Sequence, residues 1–132
     1  MIAEIVRELT VLQDRVDTLE RRESVKNLSS IGNAIEDIQI SAGAFDLVQG
    51  RSFYRVESET STSDNLDTVD DITDGRILIL TPINGHTITV TESGNFNLGA
   101  ATRVLDNEAD ILICIGNTTI DKWCEAAFAN NA

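Results

Sequence analysis

The chain has 132 residues, 42% hydrophobic, 24% charged and 5% aromatic with a single proline, the composition of one folded unit and not of a disordered or Pro-rich chain. The formal net charge of −12 is uneven: residues 1–26 hold five basic and six acidic side chains, and the remaining five basic and sixteen acidic ones give −11. A surface of that sign repels nucleic-acid backbones and anionic lipid, so neither is an expected partner.

Apolar residues open the chain at Ile2, Ile5, Leu9, Leu12, Val16 and Leu19, in alternating steps of three and four. That spacing makes one narrow stripe on a helix, suited to supercoiling against identical stripes. With Ile2, Leu9 and Val16 at a positions and Ile5, Leu12 and Leu19 at d, Arg15 falls at g and Glu20 at the following e, where parallel neighbours exchange ion pairs. The run from Arg15 to Glu20 resembles a short Arg-to-Glu motif of three-stranded coiled coils, so a parallel homotrimer is expected, with a dimer or a helix packed on its own domain as alternatives. The seam fails at Glu23 and Lys26. A second series, Leu28, Ile31, Ile35 and Ile38, restarts the helical period in a new register and extends the expected trimer interface, with Gly32 and Asn33 as weak points, and Ser41-Ala42-Gly43 ends it.

Beyond residue 40 the period changes to two. Ala44 to Val48 and Ser52 to Glu57 read as strands joined by the hairpin-sized Gln49-Gly50-Arg51. Ser58 to Gly75 is polar and reads as a long surface loop. Ile77 to Leu80 and Ile111 to Ile115 are apolar without alternation, as strands covered on both faces are, by a second sheet or a neighbouring subunit. Between and after them, His86 to Thr91, Phe96 to Leu98, Thr102 to Leu105 and Ile120 to Glu125 complete about seven short strands with turn residues between. The expected fold is therefore α+β: a coiled-coil stalk and helical neck over 1–40, then an all-β sandwich or jelly-roll-like head over 41–132, in a homotrimer.

Several groupings of side chains bear on chemistry. Asp64, Asp67, Asp70, Asp71 and Asp74 lack the ligand alternation of a calcium loop and read as solvated. His86, the one histidine, has no nucleophile set beside it and reads as solvated, although three copies round an axis would offer three imidazoles to a metal. Cys114 and Cys124 lie on adjacent strands and read as reduced thiols. Trp123 suits a core position better than a sugar platform. No phosphate-binding glycine pattern occurs, and Gly94 and Gly99 are turn glycines. No enzyme activity and no cofactor or metal are expected. No run of about twenty apolar residues or signal-peptide core is present, so synthesis and assembly in a cytoplasm are expected.

The order of short motifs carries one resemblance. Asp64-Asn65-Leu66-Asp67-Thr68-Val69, Asp74 to Leu80, Thr87 to Val90, Gly94 to Leu98, Leu105-Asp106-Asn107, Asp110 to Ile113 and Trp123 two residues before Glu125 follow one another in residues 38–128. Together they resemble the C-terminal β domain of tailed-bacteriophage fibre and virion-surface proteins. The last hairpin, Gly116 to Lys122, is longer than the tight turn of that family, and Cys114 stands where an aromatic is common. The resemblance implies a trimeric structural protein without catalytic residues on the virion surface, bound to capsid or tail proteins. Its small size favours capsid decoration over a tail fibre, and a lectin-like module binding a host surface glycan is the alternative.

Overall fold

The structure is a computed structural model and describes residues 3, 5–10, 12, 13 and 35–131. The described residues are nearly all β, with 48% strand and one short helix, in a β-solenoid-like arrangement, which corrects the expected α+β class with its coiled-coil stalk. The helix, α1, runs through residues 3, 5–10, 12 and 13. Eleven strands follow: β1 (Ile35–Gln39), β2 (Ala44–Phe45), β3 (Phe53–Glu57), β4 (Ser63–Leu66), β5 (Thr68–Val69), β6 (Ile77–Pro82), β7 (Thr87–Thr91), β8 (Phe96–Asn97), β9 (Thr102–Leu105), β10 (Ile111–Asn117) and β11 (Lys122–Ala129).

They form three sheets. Sheet A has the order β1-β3-β6-β10-β11-β8, sheet B pairs β2 with β5, and sheet C has the order β4-β7-β9. The chain winds: β1, β3 and β6 are parallel neighbours, as are β2 with β5 and β4 with β7. Ala44 lies opposite Thr68 and Ser63 opposite Thr87, so on sheets B and C one turn of the winding takes 24 residues (44 to 68, 63 to 87). β9 and β10 then run antiparallel to β7 and β6, and β11 runs antiparallel to β10 and parallel to β8. The sandwich of hairpins is replaced because β2 and β3, expected to pair with each other, each pair with strands one turn on. An alternating strand followed by a short connection looks the same in sequence whether the chain doubles back or turns a corner.

Residues 41–44 show the local chemistry of a corner. Ser41 and Ala44 exchange backbone hydrogen bonds of 2.9 and 3.1 Å around Ala42 (φ 52°) and Gly43 (φ 77°), two left-handed residues in succession. The expected helix end is therefore a tight turn between strands. Asp67 stacks on that corner: its N–H donates to the Gly43 carbonyl at 2.8 Å, and its carboxylate accepts from the Thr91 and Ser93 hydroxyls. The polar segment expected as a loop thus holds β4 and β5 and the corner joining them.

Alternate residues of each strand fill the interior. Tyr54, Val56, Leu78, Leu80, Leu112, Cys114 and Trp123 come from sheet A, Leu66, Ile88, Val90 and Leu105 from sheet C, and Phe45 and Val69 from sheet B, all buried. At roughly 1.5–3 kcal/mol for each large side chain, this apolar column is the main favourable term of the fold. Trp123 is its largest member, and its indole Nε1–H donates to the Val69 carbonyl at 2.9 Å. The Asn95 amide bonds both backbone groups of Val69, at 2.6 and 3.0 Å, and so ties β5 to the loop before β8.

Candidate functional site

The middle of sheet A is apolar on the side opposite the core as well. Register places Ile35 beside Phe53, Phe53 beside Ile79, Ile79 beside Ile113, and Ile113 beside Ala127. These five residues make one row across five strands on the outward face. A second row joins Ile77, Ile115 and Cys124. Ile35 is 49% and Ile115 42% exposed, and Phe53, Ile77, Ile79 and Ile113 are half-buried. A single copy thus leaves in water a contiguous apolar surface, which on a monomeric protein marks a contact site.

Charge is kept to the rim of this face. The next row begins with Asp37 and Arg55, whose guanidinium Nε lies 2.6 Å from the Asp37 carboxylate, so the pair neutralises itself. The hydrogen bond to Asp37, followed by the charge of that carboxylate, raises the Arg55 pKa. Arg51 and Glu36 make a second ion pair at 3.5 Å.

Of the expected trimer-contact residues, Ile5, Leu9 and Leu12 lie on α1 and are 55–60% exposed, so that apolar stripe is also uncovered. Ile35 and Ile38 lie on β1 and not on a helix: Ile35 opens the outward row, and Ile38 faces Val56 and packs against the core. Ile2, Arg15, Val16, Leu19, Glu20, Leu28 and Ile31 fall outside the described residues. Phe53, Ile79 and Ile113 joined no expected contact set as individuals. For Ile79 and Ile113 the signal was the unbroken apolar run of β6 and β10, which an exposed sheet face would have interrupted with polar residues, whereas Phe53 on β3 had no such signal.

One open groove of about 520 Å³ flanks the same sheet, lined by Asn97, Gly99, Arg103, Cys124, Glu125 and Phe128 among others. Arg103 holds Glu125 with two bonds, 2.8 Å from Nε and 3.1 Å from Nη2, and lies 4.9 Å above the Phe128 ring. The Gly99 N–H also donates to that carboxylate. Burial pushes the Glu125 carboxyl up, but Arg103 and the Gly99 N–H outweigh it and hold the group below the usual carboxylate range. Ionised and saturated with donors, Glu125 suits a clamp between β9 and β11 and not a general acid.

The remaining candidates serve turns and packing. Asp64 accepts from the Glu59 and Asn65 N–H groups, and Asp74 from the Thr118 N–H, the last bond holding its pKa down. The Asp70 carboxyl is raised by a hydrogen bond with Asp46 and then by burial. Among the described residues no three His, Cys, Asp or Glu side chains converge as a metal set. His86 Nδ1 lies 2.8 Å from the Ser58 hydroxyl and accepts from the Ser58 N–H at 3.2 Å, but that buried hydroxyl also donates to the Ser61 carbonyl. Cys114 points into the core, where burial pushes its thiol up to about 12, while Cys124 pairs with Ile115 on the outward face. Adjacent strands therefore place the two thiols on opposite sides of sheet A. Searches against protein-family models and curated proteins found no match to this chain.

Proposed function

We propose that this chain is a non-enzymatic structural protein of a tailed-phage virion, a homotrimer displayed on the particle surface as a capsid decoration or cement protein. The observation that carries the reading is the outward apolar face of sheet A, which a working particle component covers by assembly. The motif order that resembles phage fibre and virion-surface β domains supports the virion setting, and a trimer matches the three-fold positions of a capsid. The acidic exterior supports a protein kept soluble at high concentration until it docks. The second reading, a lectin-like receptor-binding module, draws on the groove of Asn97, Arg103 and Phe128, whose mixed polar and aromatic lining suits a glycan.

Gold-conjugated antibody against the purified chain, applied to phage particles from the strain carrying the gene, tests the proposal. Label over the capsid, and particles lacking the chain that break at lower temperature until it is added back, are the expected results. Label confined to the tail tip, together with binding on a glycan array, would favour the second reading. Particles without label would remove both.

A further inference from the structure

We propose that the outward face of sheet A is the surface through which copies of this chain join, with the row Ile35, Phe53, Ile79, Ile113 and Ala127 at its centre. This deepens the homotrimer part of the function proposed above, and rests on that part without needing the virion setting.

Three observations specify further copies of the same chain as the occupant. The first is charge: two copies each carrying −12 repel wherever their acidic surfaces approach, and they can meet only where each is neutral. The central row of sheet A has no ionisable side chain, and the adjoining Asp37–Arg55 pair cancels itself. The central row itself carries no charge, so it meets the same row of another copy without the repulsion that the acidic surfaces impose.

The second is shape. Five strands paired side by side, with one bulge between β10 and β11, give a pleated surface whose Ile and Phe side chains are of the kind that sheets bury against one another. The third is area. Strands spaced about 4.8 Å apart and five to seven residues long make a face of a few hundred Å², whereas a stable association covers about 800 Å² per partner. The exposed apolar stripe Ile5, Leu9 and Leu12 of α1 supplies further surface of the same kind on the same chain.

The full chain carries its own reporters. Cys124 lies on the proposed contact face beside Ile115, and Cys114 is sealed in the core. We expect the wild type to sediment as a trimer in which Cys124 reacts slowly with a maleimide and Cys114 reacts only in denaturant. The double variant I79E/I113E should fall about threefold in mass and label rapidly at Cys124, with unchanged fluorescence from the buried Trp123. A trimer that survives both substitutions with Cys124 open overturns this face as the contact and leaves the trimer standing. A wild-type single chain with Cys124 open overturns face and trimer together. If the variant loses its Trp123 signal, the wild-type labelling rate decides: protection supports the face, and free reaction overturns it.

Discussion

Asp110 shows how a charged side chain becomes part of this interior. It is fully buried, and its carboxylate accepts backbone N–H bonds from Asp106 at 3.0 Å, Asn107 at 3.1 Å and Asn131 at 2.6 Å, tying the β9–β10 turn to the end of the described chain. Burial pushes its pKa up, but the three donors outweigh burial and the net shift is downward. Stability from this group is therefore complete above the ordinary aspartate value near 3.9 and is lost as pH falls through the lower folded value. Asp110→Asn turns an amide donor toward a backbone donor and should cost about 1–3 kcal/mol at pH 7. Urea melts across the acid range should then show a flatter stability curve for the variant than for the wild type. Gly94 gives a second residue-scale test: a Cβ there would collide with the Asp67 backbone carbonyl, on the corner shared by β5 and the loop before β8. Gly94→Ala should destabilise by about 1–3 kcal/mol or more, read as a lower midpoint in urea.

Between elements, the winding is held by contacts that no strand pattern announces. Sheet B is only two residues wide at each strand, too short to persist by its own ladder, and Asn95 supplements it by bonding both backbone groups of Val69. Asn95→Ala should cost about 1–3 kcal/mol and expose the β5 amides to exchange before those of β6 and β10, as hydrogen exchange followed by mass spectrometry would reveal. The corner positions Gly43, Asp67 and Thr91 lie 24 residues apart, and the Asp67 carboxylate is taken up there by the Thr91 and Ser93 hydroxyls. In sequence the same residues resemble a polar loop, because Asp, Ser, Thr and Gly serve a stacked corner and an irregular loop equally well.

For the whole molecule, the balance lies between an apolar face that favours assembly and a charge of −12 per chain that opposes it. Screening lowers the second cost without weakening the first, so the assembly midpoint on dilution should move to lower concentration between about 0.05 and 0.5 M NaCl, measured by sedimentation. A midpoint that moves the other way would mean that ion pairs across the contact hold the copies together. The amino-acid sequence by itself determined β3, β6, β7, β9 and β10 as strands: the alternation of β7, the unbroken apolar runs of β6 and β10 and a core place for Trp123 were all legible, because side-chain period is a local property. The residues around Ile35 were misread as helix because Ile31, Ile35 and Ile38 satisfy a period near 3.6, and only pairing of Ile35 and Ile38 with Phe53 and Val56 overrides it. Tertiary structure alone decided that successive strands lie parallel one turn apart, and that the row through Phe53, Ile79 and Ile113 faces out. Both depend on which distant strand supplies the hydrogen-bond partner, a choice made by the free energy of the whole packed winding and written in no single segment.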